Sequence, residues 1–247
     1  MRYFGIIGYP LGHSFSPAYF NGKFQNLGIQ AEYLTYPIDH LDAFPELIKL
    51  KEFSGMNVTI PYKESIIPYL DALDISASEV GAVNTIKFDA GKTTGYNTDI
   101  WGFEQSLTNW IPDFRTLSGA LVLGSGGASK AVVYVLQRLR IPYLVIGRKA
   151  GKNVDLIYAE LTHDILEKHN LIINTTPLGM YPLTQTKPDI PYEFINEKYF
   201  LYDLVYNPEK SLFLGVGLEK GCTIKNGIEM LNLQAEFAWK IWNTIEI

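Results

Sequence analysis

The sequence of 247 residues contains a single cysteine, Cys222, and only four histidines. One cysteine excludes an internal disulfide framework and any zinc site built on several thiolates. The histidines lie far apart in the chain and have no Cys, His or carboxylate partner at a spacing typical of metal ligands. They are His13, His40, His163 and His169. We therefore expect no metal site.

Long apolar runs and dense runs of Lys and Arg are also missing. No stretch approaches the length needed to cross a membrane, and Met1 to Gly5 has the pattern of a strand rather than of a signal peptide. The formal net charge is −5, without a basic cluster of the kind that binds nucleic acid. Hydrophobic residues make up 47% of the chain, which is typical of a folded globular protein. These features predict a cytoplasmic protein that binds neither nucleic acid nor membranes.

The chain does contain a glycine-rich turn between an apolar strand and a helix, in the run Leu121 to Lys130. Gly124 would allow the tight turn, and Gly126 would let the backbone approach a pyrophosphate. Small residues at Ala128 and Ser129 would let the helix pack closely on the sheet, with its N-terminal N–H groups facing the phosphates. Strand, glycines and helix in this order predict a dinucleotide site.

The end of the next strand, at Gly147, Arg148 and Lys149, indicates which dinucleotide binds. An NAD site usually has Asp or Glu here to hold the ribose 2′-hydroxyl, whereas cations suit a 2′-phosphate. A glycine turn with incidental surface charges is the alternative interpretation. The order of the elements favours NADP.

Short strands alternate with helices along most of the chain. From Ala120 to about Ile224 the strands are apolar without strict alternation, which is typical of a parallel sheet buried on both faces. These strands are predicted at Ala120–Leu123, Leu144–Ile146, Leu171–Asn174, Phe200–Val205 and near Thr223. In the first hundred residues, strands are predicted at Arg2–Ile7, Glu32–Ile38 and Gly55–Ile60, a hairpin at Val83–Phe88 and Lys92–Gly95, and helices at Pro17–Leu27, Leu41–Lys49, Lys63–Leu70 and Ile100–Trp110.

An amphipathic helix at Ile228 to Trp242 follows the last predicted strand, and we expect it to return to the first domain. The fold class is therefore α/β, with an N-terminal α/β domain and a doubly wound, Rossmann-type NADP-binding domain that enclose a cleft. The predicted domains are residues 1–100 with 229–247, and residues 101–228. The first of these would bind the substrate.

Polar residues cluster at the predicted strand ends of the first domain. Ser14 and Ser16 come just before a helix that we expect to begin at Pro17, where two hydroxyls can hold a small carboxylate. Ser16 could instead be only the N-cap, an explanation that does not extend to Ser14. Lys63 is predicted to start a helix, where a cation is disfavoured unless an anion or a reacting oxygen lies opposite.

Thr59, Asn84 and Asp99 add a hydroxyl, an amide and a carboxylate to this set. Asn84 could be a turn residue, and Asp99 could be the N-cap of the helix at Ile100–Trp110. Taken together, the polar residues could surround a small polyol that carries a carboxylate.

The chain resembles the shikimate dehydrogenase family over nearly its whole length. The resemblance depends on separate motifs in the family's order, which are Gly8 to Pro17, Asn57 to Lys63, Gly81 to Thr85, Gly95 to Asp99, Gly124 to Ala128, Asn174 to Met180, Asp203 to Tyr206, and Asn226 to Ala235. It implies that shikimate binds to Ser14, Ser16, Thr59, Lys63, Asn84, Asp99, Tyr206 and Gln234. Lys63 and Asp99 would be the catalytic pair. The NADP site would comprise Gly124, Ser125, Gly126, Gly127, Ala128, Arg148, Lys149, Thr175 and Gly227.

The sequence departs from the family pattern at several positions. Phe20 replaces a His before Asn21, Lys130 replaces an Arg, and Gly147 replaces an Asn beside Arg148. Lys149 stands where the family has Thr. The segment between Lys149 and Leu171 is also shorter than usual, which predicts a reduced helix there.

The resemblance implies an NADP-dependent enzyme that interconverts 3-dehydroshikimate and shikimate in the pathway to aromatic amino acids, as a monomer or homodimer. One alternative is a quinate/shikimate dehydrogenase that prefers NAD, which would place an acid where Arg148 and Lys149 lie. The other is a noncatalytic NADP-binding sensor, which would be expected to lose Lys63 or Asp99.

Overall fold

The computed structural model of the chain describes residues 1–12 and 14–243, so that His13 and residues 244–247 lie outside the described residues. The chain forms two compact units. The first comprises Met1–Thr98 and the chain from Gln234, and the second comprises Asp99–Leu233. The predicted boundaries after residues 100 and 228 differ from these by a few residues.

The first unit is built on a mixed six-stranded sheet. Its strands are β1 (Arg2–Gly8), β2 (Ala31–Pro37), β3 (Phe53–Val58), β4 (Ala72–Leu73), β5 (Thr85–Asp89) and β6 (Lys92–Tyr96). The order is β2-β1-β3-β5-β6-β4, with β1 parallel to β2 and β3, and with β5 antiparallel to β3 and β6. Its helices are α1 (Phe15–Asn26), α2 (Phe44–Leu47) and α3 (Ile75–Val80). The predicted hairpin is confirmed, and its two turn residues, Ala90 and Gly91, both have positive φ.

Two predicted helices of the first unit are wrong in extent or type. Residues 41–49 form a short 3-10 helix followed by α2, with Pro45 in the first turn of α2. Residues 63–66 form turns, and only Ile67–Tyr69 is helical, as a 3-10 segment. Pro68 accounts for the second difference, because proline lacks an N–H group and disfavours the α conformation at the residue before it.

Aromatic side chains form the core between the first sheet and the end of the last helix. The rings of Phe4 and Phe20 each lie 5.0 Å from the ring of Trp242, and Phe20 stacks on Tyr33 at 4.9 Å. Trp242 also covers Gly55, where a Cβ would lie 2.2 Å from the indole nitrogen. Phe20 therefore belongs to a buried aromatic cluster, which explains why an apolar residue occupies this position.

The second unit contains the predicted parallel sheet, which has six strands where five were expected. Its strands are β7 (Ala120–Leu123), β8 (Tyr143–Gly147), β9 (Leu156–Ile157), β10 (Leu171–Asn174), β11 (Phe200–Asp203) and β12 (Thr223–Lys225). Its helices are α4 (Asp99–Trp110), α5 (Gly127–Arg138), α6 (His163–Glu167) and α7 (Leu212–Glu219). The last helix, α8 (Ile228–Trp242), begins in the second unit and ends in the first.

The strand order β12-β11-β10-β7-β8-β9 reverses direction beside β7. From β7 the chain winds outward through β8 and β9, and it then returns to β10 on the other side of β7. In open parallel sheets, ligands bind outside the carboxyl ends of the strands at this switch point. The doubly wound fold is therefore confirmed, and it places the glycine-rich turn after β7 at the expected edge.

The connection from β8 to β9 is unusually short for two parallel strands. It comprises only residues 148–155, whereas such crossovers commonly need a dozen or more residues and contain a helix. The only α-helix between Lys149 and Leu171 is α6, of five residues, within a stretch that the structure describes throughout. The reduced helix is thus confirmed. None of the helices in the described part of the chain is long and apolar enough to span a membrane.

Candidate active site

The two serines at the start of α1 have different environments. The helix begins at Phe15, so Ser14 is the N-cap and Ser16 lies inside the first turn, where its side chain is buried. The predicted N-cap role of Ser16 is wrong, because Pro17 is tolerated throughout a first turn and does not fix where the helix starts. The Ser14 hydroxyl makes no capping hydrogen bond within the described residues. Ser16 lies within hydrogen-bonding reach of the Tyr33 hydroxyl.

A buried polar network begins at Tyr33 and crosses the sheet of the first unit. The Tyr33 hydroxyl donates to Asn57 Oδ1 at 2.6 Å. Asn57 Nδ2 donates in turn to Thr85 Oγ1 and to the Asn84 carbonyl oxygen, both at 3.2 Å. Burial raises the pKa of Tyr33 well above its usual range, so that its hydroxyl stays protonated as a donor.

The network continues to two predicted substrate residues, Asn84 and Gln234, which Thr98 connects. Asn84 Oδ1 accepts the Thr98 N–H at 2.7 Å, and Asn84 Nδ2 lies 3.0 Å from Thr98 Oγ1. Thr98 Oγ1 lies 3.3 Å from Gln234 Oε1. All three side chains are buried. The structure therefore brings together two amides that are 150 positions apart in sequence.

Thr98 and Asn57 were not among the predicted site residues. Both lie within the motifs quoted above, and both are polar residues beside β-strand ends, which is the signal that could have identified them. Thr98 contacts the side-chain amides of Asn84 and Gln234 directly, whereas Asn57 holds the backbone of Asn84.

Thr59 and Lys63 follow β3, close to the end of the parallel strand β1. A Cβ at Gly8 would lie 2.4 Å from Thr59 Cγ2, so glycine is required for this close approach. The Lys63 carbonyl oxygen accepts the Val83 N–H at 2.6 Å, which places Lys63 beside the segment that leads to Asn84. Lys63 lies in a turn and not at a helix N-terminus, so the electrostatic argument made for it from the sequence does not hold.

Asp99 is buried and is the first residue of α4. The expected N-cap role of Asp99 is therefore wrong by one position, although a carboxylate in the first turn is still favoured by the helix dipole. Tyr206 lies in the second unit, in the segment after β11, and burial raises the pKa of its hydroxyl.

The glycine-rich turn after β7 is shaped by Gly124 and Thr175. Gly124 has a φ of +111°, and a Cβ there would lie 2.8 Å from Thr175 Oγ1. The Thr175 hydroxyl donates to the Leu123 carbonyl oxygen at 2.8 Å. The structure thus brings Thr175, predicted at the cofactor site, directly against the glycine-rich turn.

The N-terminus of α5 has the geometry that a pyrophosphate requires. Gly126 is the N-cap, with nothing within 4 Å of the position that a Cβ would occupy. Ser125 and Gly126 are exposed, and Gly127 and Ala128 are partly exposed. As the N-cap, Gly126 has no side chain that could accept from the N–H groups of the first turn, which leaves these groups suited to an anion. The predicted phosphate-binding turn therefore fits a dinucleotide.

Arg148 and Lys149 are exposed directly after β8. The missing side chain at Gly147 has a local explanation, because a Cβ there would lie 2.7 Å from Val154 Cγ2. Asp155 anchors the loop through its carboxylate, which accepts the Val145 N–H at 2.8 Å. The short connection therefore folds back over the strand end and fills the volume that a side chain at position 147 would need.

Gly227 precedes α8 and packs on the segment after β11. A Cβ at this position would lie 2.2 Å from the Leu204 carbonyl oxygen, and the Gly227 N–H donates to the Val205 carbonyl oxygen at 3.2 Å. Gly227 therefore lies against the same segment that carries Tyr206.

Asp203, at the end of β11, was not among the predicted site residues. Its Oδ1 accepts from Asn174 Nδ2 at 2.9 Å and from the Val205 N–H at 3.0 Å, and its Oδ2 accepts from the Ser211 hydroxyl. Burial raises its pKa to about 6, against the opposing effect of these hydrogen bonds. An acid at the end of an otherwise apolar strand was the available signal.

Across the described residues, no group of three or more His, Cys, Asp or Glu side chains could hold a metal ion.

Comparison with known proteins gives matches to shikimate dehydrogenases. Residues 6–86 match the model of the shikimate dehydrogenase substrate binding domain. The NADP(+) shikimate dehydrogenase of Clostridium beijerinckii is 39% identical, over 100% of this chain and 94% of the relative. The crystal structure of the Thermus thermophilus enzyme in complex with NADP(H) and shikimate has a TM-score of 0.85 at 30% identity, and the match covers 98% of this chain and 93% of that chain.

A quinate dehydrogenase from Corynebacterium glutamicum, solved in complex with NAD, has a TM-score of 0.85 at 25% identity, with 98% of this chain and 93% of that chain covered. The fold is thus shared by proteins that differ in substrate and cofactor. The identity over the full length nevertheless decides the family: this chain belongs to the shikimate dehydrogenases.

Proposed function

We propose that this chain is an NADP-dependent shikimate dehydrogenase, which reversibly reduces 3-dehydroshikimate to shikimate. The observation that carries the proposal is the buried network of Asn84, Thr98 and Gln234, in the unit whose sequence matches the family's substrate binding domain. Amide side chains suit a polyol, because an amide N–H group can donate to a hydroxyl and an amide oxygen can accept from one.

Ser14 and Ser16 would hold the substrate carboxylate near the start of α1. The helix N-terminus adds a partial positive charge, which favours an anion at this place. Thr59, Asn84, Tyr206 and Gln234 would contact the rest of the substrate.

The cofactor would bind to the second unit. Residues Gly124 to Ala128 would hold the pyrophosphate, and Thr175 and Gly227 would line the site. NADP supplies the hydride-transfer chemistry when it is bound. The protein must therefore hold the substrate carbon in place and manage one proton.

Lys63 would manage that proton, with Asp99 orienting it. Its ammonium group donates a proton to the carbonyl oxygen of 3-dehydroshikimate during reduction, and in the reverse direction the neutral amine accepts the hydroxyl proton of shikimate. The rate of shikimate oxidation should consequently depend on pH.

Arg148 and Lys149 favour NADP over NAD, since a guanidinium can grip a 2′-phosphate with two hydrogen bonds. An NAD-preferring quinate/shikimate dehydrogenase is the main alternative, because a quinate dehydrogenase solved in complex with NAD shares the fold. The presence of both Lys63 and Asp99 argues against a noncatalytic sensor.

One assay separates these functions. Purified protein is mixed with shikimate or quinate and with NADP or NAD, and formation of the reduced nicotinamide is followed by its absorbance. We expect the highest kcat/KM with shikimate and NADP. A preference for quinate with NAD would support the alternative, and no turnover in any combination, together with measurable NADP binding, would support a sensor.

A further inference from the structure

The buried carboxylate of Asp203 connects three segments at the carboxyl edge of the parallel sheet. It accepts hydrogen bonds from Asn174 at the end of β10, from the backbone after β11 and from Ser211 at the start of α7. It is fully buried, so it cannot contact a ligand in solution directly. None of the proposed catalytic steps uses it.

The hydrogen bonds continue from Asp203 toward the glycine-rich turn. Asn174 Oδ1 accepts from the Thr176 N–H at 3.0 Å and from the Thr176 hydroxyl at 2.6 Å. Asn174 Nδ2 is also 3.3 Å from the Leu178 carbonyl oxygen. The side chain of Asn174 therefore shapes the turn that begins at Thr175, and Thr175 packs against Gly124.

A second path runs from Asp203 along its own strand. The Val205 N–H donates to Asp203 Oδ1, and the Val205 carbonyl oxygen accepts from Gly227. The Ser211 hydroxyl both donates to Asp203 and accepts the Leu214 N–H as the N-cap of α7. One carboxylate thus fixes both segments, after β10 and after β11, that carry predicted cofactor-site and substrate-site residues.

We propose that Asp203 is a positioning residue for the cofactor, which acts through Asn174 to hold Thr175 against the glycine-rich turn. This inference rests on the proposed function, since it assumes that NADP binds at that turn. The ionised carboxylate suits this task, because it accepts from three donors at once, whereas a neutral carboxyl would have to direct its own proton at one of them. Near neutral pH the group is mostly ionised, given a pKa of about 6.

The test measures NADP binding to full-length variants by titration calorimetry, together with KM, kcat and the melting temperature. Asp203→Ala should raise the Kd for NADP by about ten-fold or more, because small displacements of ligand-positioning groups have large effects. Asp203→Asn should bind NADP nearly as the parent does, since the amide oxygen can still accept from Asn174 and Val205 and the NH₂ group can donate to Ser211.

Ser106→Ala is the matched control for a purely structural loss. Ser106 is also buried in the second unit. Its hydroxyl lies 2.8 Å from the hydroxyl of Tyr202, which is the residue before Asp203 in the sequence. Its loss should lower the melting temperature while the Kd for NADP stays within about two-fold of the parent value. Equal rises of Kd in Ser106→Ala and Asp203→Ala, or an unchanged Kd in Asp203→Ala, would overturn the inference.

If Asp203→Ala does not fold, Thr176→Val tests the inference instead. This substitution removes the hydroxyl that donates to Asn174 and keeps the shape of the side chain. We expect a weaker affinity for NADP in Thr176→Val and the parent affinity in Thr176→Ser, which retains the hydroxyl. Parent-like binding by Thr176→Val would overturn the inference in that case. A parent protein that fails to bind NADP at all would instead refute the proposed function.

Discussion

Asp203 should make the stability of this protein fall as the pH rises from about 4 to 6. Burial raises the pKa of the carboxyl group from 3.8 to about 6 in the folded protein. The folded state therefore binds the proton more tightly than the unfolded chain, and unfolding within this pH window releases it. Well below pH 3.8 both states are protonated and the group has no effect on stability, whereas well above pH 6 its full cost is present.

The size of the effect follows from the two pKa values. A difference of about 2.2 pH units, at about 1.4 kcal/mol for each, corresponds to a loss of roughly 3 kcal/mol in the free energy of unfolding. Tyr192 is a titratable group that interacts electrostatically with Asp203, and burial raises its pKa, so that it stays neutral throughout this window. The change in the free energy of unfolding across this pH window is therefore assigned to Asp203 itself.

Urea unfolding of the parent and of Asp203→Asn at several pH values measures this effect. Since every other group titrates in both proteins, the difference between their free energies of unfolding isolates Asp203. Relative to the parent, Asp203→Asn should be about 2 kcal/mol more stable at pH 7 than at pH 4, because the unfolded carboxyl group is already partly ionised at pH 4. A constant difference between the two proteins, or a ¹³C titration that places the Asp203 pKa near 3.8, would refute the reasoning.

Four further predictions concern the site itself. Lys63→Ala should lower kcat by roughly two to four powers of ten with a much smaller change in shikimate affinity, measured by steady-state kinetics and direct binding, and a kcat within a few-fold of the parent would exclude an acid/base role. Arg148→Ala should weaken NADP far more than NAD in parallel binding titrations, whereas equal losses would assign Arg148 to the fold or to adenine stacking. Ser14→Ala and Ser16→Ala should each raise KM for shikimate, with the double variant discriminating less against a carboxamide analogue of shikimate, and a retained preference would place the carboxylate elsewhere. Gly124→Ala should abolish tight NADP binding in calorimetry, since its φ is positive and its Cβ would collide with Thr175, and parent-like affinity would contradict the proposed pyrophosphate site.

The second unit could be predicted from the sequence more fully than the first. Its strands are short apolar runs buried on both faces, and its glycine-rich turn joins β7 to α5 within ten residues, so the signals are local. The same applies to the hairpin around Gly91, where two residues determine the turn. In contrast, β4 and β9 have only two residues each, and such strands form only because a neighbouring strand pairs with them.

The prediction of the site failed where a side chain depends on distant partners. Lys63 could not be placed correctly because the helix expected there is limited by Pro68 and by the contact of its own backbone with Val83. Asp203 begins one of the quoted motifs, but the motif gives it no role, and its hydrogen bonds with Asn174 and Ser211 are visible only in the structure. Sequence motifs predicted which residues belong to the site, but they could not give the hydrogen bonds that these residues make.

The position of Trp242 has a consequence for the order in which the chain folds during synthesis. The indole covers Gly55 and donates to the Ile86 carbonyl oxygen at 3.0 Å, in the sheet built from the first 98 residues. When those residues leave the ribosome, the aromatic cluster around Phe4 and Phe20 therefore still lacks the side chains that close it. The second unit, in contrast, is one continuous segment and has its whole core once residue 233 has been made. The part of the chain that is synthesised first thus completes its fold last, after an interval set by the translation of the second unit.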